Sequence, residues 1–263
     1  MARFCPLFSG SSGNCTYVGS QQGGVLIDVG VSARRIENAL WQREIDPKTI
    51  QALFITHEHG DHIAGLRVLG KRYGFRVFAS PGTMEGLEAA GALDPRCRPE
   101  VMPEEGVEAA GMLVTSFRTS HDSRESTGYH IHTADGRRVV VATDTGCISE
   151  EIRTVLHGCD LVMIESNHDV QMLQNGPYPY YLKRRILAKT GHLSNEDCAR
   201  ELPALAECGT TRFFLGHLSK ENNLPQLAYE TSRLAMEEAG LREGVDYVLQ
   251  VAHRDDTDTV TIF

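Results

Sequence analysis

The stretch Thr56-His57-Glu58-His59-Gly60-Asp61-His62 follows directly on the apolar run Ala52-Leu53-Phe54-Ile55. An apolar run of that length reads as a buried strand, so the histidine cluster sits on the loop leaving its carboxyl end. In α/β folds that edge collects ligand-binding and catalytic groups. Alternate residues of an extended segment point the same way, which lets His57 and His59 grip one ion together. Gly60 lets the chain turn, and Asp61 and His62 beyond it can face a second ion. Crowding these imidazoles together would be costly for packing alone, because each buried ring needs a hydrogen-bond partner. Imidazole and carboxylate donors suit zinc, manganese or iron. The expectation is an α/β chain built around two divalent metal ions.

Of 263 residues, 41% are hydrophobic, enough for a sizeable core in one large domain or two small ones. No linker, low-complexity stretch or internal repeat interrupts the chain, which favours a single domain over residues 1–263. A net charge of -9 argues against a nucleic-acid binder that works by general basicity, while leaving room for a local basic groove. Seven cysteines (Cys5, Cys15, Cys97, Cys147, Cys159, Cys198 and Cys208) are scattered, odd in number and never spaced C-x-x-C. That pattern suits reduced thiols in a cytoplasm. The start lacks a signal-peptide core and no apolar run approaches membrane-spanning length, so the expectation is a cytoplasmic protein with no membrane association.

Strands are expected at 3–8, 15–19 and 24–29, then a helix over 32–43. Ser9-Gly10-Ser11-Ser12-Gly13-Asn14 is either a hairpin turn or a backbone nest for an anion. Asp28 ends an apolar strand, and either it or Ser32 can cap the helix that follows. The pattern continues with a helix over 62–73, a strand at 76–79 and a helix opening at Ser80-Pro81. Short strands across 97–120 end just before Ser120-His121-Asp122. Strands at 127–133 and 138–142 lead to Thr143-Asp144, and another apolar run, from Leu161, ends in Glu165-Ser166-Asn167-His168-Asp169. A short helix and turn cover 171–176. Residues 178–185 combine tyrosines with Lys183, Arg184 and Arg185, either as a solvated helix face or as aromatics that stack on bases while cations neutralise phosphates. His192 precedes a helix capped by Ser194, where N–H groups and the dipole favour an anion. A strand at 211–216 ends in His217, followed by a helix over 222–239 and strands near 246–251 and 258–263.

The H-x-H-x-D-H run after an apolar strand resembles the signature of the metallo-β-lactamase superfamily. Its fold is a four-layer αβ/βα sandwich of two mixed sheets flanked by helices, within the α/β (α+β) class. The resemblance implies that Asp28 buttresses the metal loop, as in that family's first motif, and that His121, Asp144 and His217 match its third, fourth and fifth. The implied ligands are His57, His59 and His121 on one ion and Asp61, His62 and His217 on the other, with Asp144 bridging. Two such cations, zinc or manganese with iron as a third candidate, would lower the pKa of a shared water so that a bridging hydroxide exists near pH 7.

The motifs F-S-G-S-S-G-N, I-T-H-E-H-G-D-H, S-H-D, E-S-N-H-D, G-H-L-S-N and G-H-L-S-K-E-N-N together resemble the WalJ/YycJ family of bacterial metallohydrolases. This implies a metal-dependent 5′→3′ exonuclease on DNA, associated with DNA repair. His192, with Asp61, is the expected catalytic residue, able to bind a phosphate oxygen or protonate the leaving alkoxide. Expected substrate contacts are Ser12, Asn14, Asn167, His168, Lys183, Arg184, Asn222 and Asn223. A local patch of Arg34, Arg35, Lys183, Arg184 and Arg185 would meet DNA. The chain is too short for the β-CASP insertion of RNA-processing relatives. A small-molecule phosphodiesterase acting on a cyclic or nucleotide-like ester is the alternative enzyme, and a non-catalytic metal-bound regulatory or DNA-binding protein the alternative class. The sequence leaves the oligomeric state open, a dimer included.

Overall fold

In the computed structural model, which describes residues 1–255 and 259–263, the apolar runs form two mixed sheets of seven strands each, flanked by helices. The amino-terminal half begins with β1 (Arg3–Phe8), β2 (Cys15–Ser20), β3 (Gly23–Ile27), α1 (Ala33–Gln42) and β4 (Ile50–Phe54). It continues through α2 (Gly60–Ile63), α3 (Leu66–Tyr73), β5 (Arg76–Ala79), α4 (Pro81–Ala89) and β6 (Arg98–Val101). Next come β7 (Val107–Ala109), β8 (Met112–Arg118), β9 (Thr127–Thr133), β10 (Arg138–Ala142), α5 (Glu150–Leu156) and β11 (Leu161–Glu165). The chain closes with α6 (Val170–Asn175), α7 (Tyr180–Ile186), α8 (Asn195–Glu207), β12 (Arg212–Gly216), α9 (Pro225–Glu238), β13 (Val248–Val251) and β14 (Thr261–Ile262). The sheets run β14-β1-β2-β3-β4-β5-β6 and β13-β12-β11-β10-β9-β8-β7.

Two compact units share the chain. One comprises Met1–Ser116, Ser123–Arg137 and His253–Phe263, the other Phe117–Asp122 and Arg138–Ala252. In the first, β3, β4 and β5 are parallel, with Leu26, Leu53 and Val77 side by side in register. All three are buried in one core cluster with Ile36 and Leu40 of α1 and Leu66 and Leu69 of α3. Burying a side chain of this size contributes about 1.5–3 kcal/mol. On the opposite face Ile27, Phe54 and Phe78 align, and Phe54 stacks on Phe78 at 5.2 Å between ring centroids. Tyr129 of β9 meets Phe54 edge-on at 5.4 Å. A sheet covered on both faces explains why these strands read as continuous apolar runs.

The second unit repeats the scheme. Val140, Val162, Phe213 and Leu249 align across the parallel strands β10 to β13. They share a core with Cys198, Leu202 and Leu205 of α8 and Met236 of α9.

Some boundaries differ from the sequence reading. The helix expected over 62–73 is two helices, broken where the Gly65 N–H turns to the Val29 carbonyl at 2.8 Å. Helix α5 had no counterpart in that reading, although Ser149 caps it and Glu150 and Glu151 favour its first turn. The helix expected from 222 begins at Pro225, because Asn222 and Asn223 are buried in the loop before it. Of the strand expected at 258–263, residue 258 lies outside the described residues and β14 covers Thr261–Ile262. Among the described residues no helix is long and apolar enough to cross a membrane.

Candidate metal centre

The histidine cluster leaves the carboxyl end of β4, beside the end of β3, where Asp28 sits at φ 58°. That left-handed conformation is costly for a residue with a Cβ and is held by hydrogen bonds. Asp28 Oδ1 accepts the Thr56 N–H at 2.9 Å, and Oδ2 accepts the Thr56 hydroxyl at 2.8 Å and His62 Nδ1 at 2.7 Å. Since the Thr56 hydroxyl donates to Asp28, its oxygen accepts from His57 Nδ1, 3.1 Å away. Both imidazoles then carry their proton on Nδ1 and keep a lone pair on Nε2. The His57 ring lies 4.5 Å from that of His59 and 4.0 Å from that of His62. Asp61 Oδ2 is 3.5 Å from His62 Nε2.

The amino-terminal loop closes on the same segment. Asn14 donates its backbone N–H to the Asp61 carbonyl at 2.8 Å, and its carbonyl accepts the Gly30 N–H at 2.7 Å. Its side chain bonds both backbone groups of Gly10 and approaches His62 Nε2 at 3.1 Å. A Cβ on Gly30 would fall 1.6 Å from the Asp61 carbonyl oxygen, so only glycine allows this approach. Asn14, expected as a substrate contact, is buried and braces the metal loop. Ser12 is exposed at the loop tip.

In the second unit Asp144 follows β10 and His217 follows β12, both at φ 55°. Glu165, fully buried at the end of β11, organises the groups around it. Its Oε1 accepts His192 Nδ1 at 2.7 Å and His217 Nδ1 at 2.8 Å, and its Oε2 accepts the N–H groups of Thr145 at 2.7 Å and Leu193 at 3.3 Å. Burial alone would favour the neutral acid. The His192 ring beside it and the hydrogen bonds from both histidines overcome it and hold the carboxyl well below the usual range. His121 donates Nδ1 to the Gly191 carbonyl at 3.0 Å, and burial lowers its pKa. Its Nε2 lies 3.8 Å from Asp144 Oδ1 and 3.6 Å from Asp122 Oδ1. A Cβ on Gly146 would fall 2.4 Å from the Lys189 carbonyl, which keeps the loop carrying Gly191 and His192 against the one carrying Asp144.

Asp144, Glu165, His192 and His217 place one donor atom each within 4.8 Å of one another. His192 is the most open of them, its side chain 15% exposed against 2% or less for the others. Its ring is held by Glu165, two residues before the Ser194 cap, so the carboxylate rather than the helix dipole governs it.

Several expected substrate contacts prove to be internal struts. Asn223 donates its amide to the carbonyls of Ser166 at 2.9 Å and Asn167 at 3.0 Å, and pairs reciprocally with the Asn195 amide at 2.9 Å. Asn167 donates to the His217 carbonyl at 2.8 Å. Asn222 is fully buried, and so are both ring nitrogens of His168, which have no hydrogen-bond partner among the described residues. Burial holds the His168 pKa down at about 4. Lys183 donates to the carbonyls of Gln174 and Gly176, each at 2.8 Å, closing the end of α6. Arg185 grips Asp122 with two hydrogen bonds, and Arg184 lies over the Tyr180 ring at 5.9 Å. Of the other basic residues, Arg35 lies over Phe8 at 4.6 Å, and Arg34 is exposed.

The donors present fit divalent metal ions. His57, His121 and His217 each direct Nδ1 to a hydroxyl, carbonyl or carboxylate and turn Nε2 away from it, as ligating histidines do. A family model described as a beta-lactamase superfamily domain matches residues 24–218. The chain is 36% identical to an exodeoxyribonuclease YycJ of Bacillus anthracis, with 92% of this chain and 91% of the relative covered. It is 34% identical to an exodeoxyribonuclease WalJ of Streptococcus pneumoniae over 98% and 97% of the two chains. The crystal structure of the metallo-beta-lactamase fold protein YhfI from Bacillus subtilis superposes over 98% of both chains with a TM-score of 0.73 at 14% identity. Zn(2+)-bound PqqB from Methylobacterium extorquens gives 0.71 at 17% identity, covering 98% of this chain and 99% of PqqB. At those identities the structures speak for the fold, and the sequence relatives narrow the branch. The chain belongs to the metallo-β-lactamase superfamily, alongside the WalJ/YycJ proteins, and is a metal-dependent hydrolase.

Proposed function

We propose that the chain is a 5′→3′ exonuclease on DNA, a single hydrolase domain that acts with two divalent ions. His57, His59 and His121 would hold one ion, Asp61, His62 and His217 the other, and Asp144 both. The observation that carries the reading is the Glu165–His192 pair within the donor set of the second unit. It is supported by exodeoxyribonuclease relatives that match nearly the whole chain. Bound divalent ions supply Lewis acidity toward phosphate oxygens and a nucleophile at neutral pH.

The chain's own residues do the rest. Glu165 fixes the His192 proton on Nδ1, so Nε2 is the atom that meets substrate. Protonated there, the ring donates to a non-bridging oxygen or gives its proton to the leaving alkoxide, while Glu165 stabilises the imidazolium. Asp28 and Thr56 orient His57 and His62, Gly191 orients His121, and Glu165 orients His217. The seven cysteines are scattered and never spaced C-x-x-C, a pattern that fits work in the reducing cytoplasm.

The test is a linear DNA labelled at its 3′ end and incubated with protein loaded with Mn²⁺ or Zn²⁺. Shortening from the 5′ terminus is the expected result. Hydrolysis of a cyclic nucleotide with the DNA left intact would replace this reading with a small-molecule phosphodiesterase. Metal binding with neither substrate turned over would replace it with a regulatory binding protein.

A further inference from the structure

The sequence holds two H-x-H triplets, His57-Glu58-His59 and His130-Ile131-His132. The first belongs to the candidate metal centre, and the second has no part in it. His130 and His132 lie on β9, an interior strand of its sheet, hydrogen-bonded to β8 on one side and β10 on the other. Alternation along the strand buries Tyr129, Ile131 and Thr133 on one face and turns both histidines to the other. His130 is half-buried there and His132 is exposed. Their ring centroids stand 4.3 Å apart with 59° between the planes, close to the 4.5 Å and 80° of His57 and His59.

From this repeat of spacing and ring separation we infer that His130 and His132 form a further site for one divalent transition-metal ion, zinc, nickel or copper. Imidazole is a donor these ions take readily, whereas manganese favours oxygen donors and binds weakest in the divalent series. A strand paired on both sides presents two side chains, two residues apart, in one fixed direction. Little freedom is therefore left to lose when both rings close on an ion. Once one ring holds the ion, the second meets it at a high effective concentration, raising affinity about 10²- to 10⁴-fold over a single histidine. Neither residue belongs to a cluster of three or more donors among the described residues. Water then fills the remaining coordination positions, so the ion is exchangeable, unlike a structural zinc closed by four protein ligands. The donor sets separate the two places by metal. Carboxylates in the candidate centre admit manganese as well as zinc, and the all-imidazole pair on β9 discriminates against manganese. No residue of that centre takes part, so the pair binds metal whether or not the chain cuts DNA.

The experiment compares the full wild-type chain with His130→Thr plus His132→Thr, and with His132→Thr alone. Threonine keeps the strand propensity and offers no ring nitrogen. The proteins are dialysed side by side against Zn²⁺, Ni²⁺ or Mn²⁺, and metal per chain is measured by elemental analysis. Ions held elsewhere on the chain cancel in the difference between wild type and variant. Wild-type protein is expected to carry one more equivalent of Zn²⁺ or Ni²⁺ than the double variant, and the same amount of Mn²⁺. His132→Thr alone, at an exposed position where folding is not at stake, should lose the same equivalent, because a lone ring forfeits the gain from the second.

Equal uptake of zinc and nickel by the wild type and His132→Thr would overturn the site. An equal difference with Mn²⁺ would overturn it too, since the substitutions would then be acting on the metal centre. A difference of half an equivalent, with the mass doubled in sedimentation when zinc is added, would replace the single-chain chelate with an ion shared between two copies. None of these outcomes bears on the shortening of DNA, which is read separately with the labelled substrate.

Discussion

Replacing Glu165 with glutamine tests the organisation of the site more sharply than removing a ligand would. The four donors around this carboxylate divide evenly, two imidazole nitrogens on Oε1 and two backbone N–H groups on Oε2. An amide has one oxygen and one NH₂, so each of its two orientations fails somewhere. With the NH₂ in the Oε2 position, the Thr145 and Leu193 N–H groups lose their acceptor. Leaving two buried donors unsatisfied costs about 2–4 kcal/mol, toward the lower part of the range because the Leu193 bond is long. With the NH₂ in the Oε1 position, it can only donate to the Nδ1 atoms of His192 and His217, which forces both rings into the opposite tautomer. The lone pair on His217 Nε2 is then replaced by a proton, and loss of such an orienting partner typically weakens metal binding about 10- to 100-fold. Glu165→Gln should therefore be destabilised in urea unfolding of the metal-free protein, or impaired in calorimetric titration with Mn²⁺ or Zn²⁺, or both. Wild-type stability together with wild-type metal affinity would show that Glu165 is not the acceptor for these four donors, and the assigned tautomers would go with it.

His192→Ala should retain its metal content by elemental analysis and lose about 10²- to 10⁴-fold in turnover, the usual worth of a general acid. Loss of metal would show that His192 is a ligand. His168 has its pKa held down to about 4 by burial, against about 6.5 when unfolded. In that window the unfolded chain binds more protons, so the contribution is present above pH 6.5 and lost as pH falls toward 4, by about 3 kcal/mol in total. His168→Met should flatten this part of the pH dependence in urea unfolding with chelator present, and an unchanged slope would contradict the assignment. Asn223→Ala should cost about 2 kcal/mol or more by leaving the Asn195 amide N–H and the buried Ser166 carbonyl without this partner, with little change in KM for DNA among the folded molecules. A raised KM without loss of stability would return Asn223 to the substrate.

The residues that were legible in the sequence are those whose position is set by local chain geometry. An apolar strand followed by H-x-H-x-D-H fixes which side chains share a direction, and Asp28, Asp144 and His217 each follow directly on a strand run. Polar residues a few positions farther along were harder to assign, because nothing local says whether an asparagine beyond a strand end points outward or into a neighbouring loop. Asn167, Asn195 and Asn223 come from three segments that meet only in the folded chain, so their mutual hydrogen bonds leave no periodic trace. The same holds for Lys183-Arg184-Arg185. As a charge run it reads as one patch, yet only the folded chain brings the α6 carbonyls to Lys183 and Asp122 to Arg185. Glu165 sits in a motif that the sequence displays, but an acid ending a fully apolar strand stays ionised there only because donors from three other segments converge on it.

Asp28, Asp144 and His217 share a feature that ties the backbone to the chemistry. All three are non-glycine residues at φ between 55° and 58°, each just past the carboxyl end of a parallel strand. A chain that continued as a strand would send alternate side chains to the two sheet faces, into the core and away from any ligand. Left-handed backbone at that point breaks the alternation and lets the side chain stay at the strand end while the main chain departs. Glycine would adopt the conformation freely but brings neither carboxylate nor imidazole, so the site requires the strained residue. Each such position costs about 1–3 kcal/mol and persists only where the surroundings hold it. The Asp28 carboxylate, with three donors, and the His217 ring, held by Glu165, supply that restraint. The same hydrogen bonds therefore do two jobs, fixing the tautomer that exposes Nε2 and holding a backbone turn that would otherwise relax. Removing one of these acceptors should loosen the loop as well as the ligand, which is why Glu165 and Asp28 bear on stability and metal affinity together.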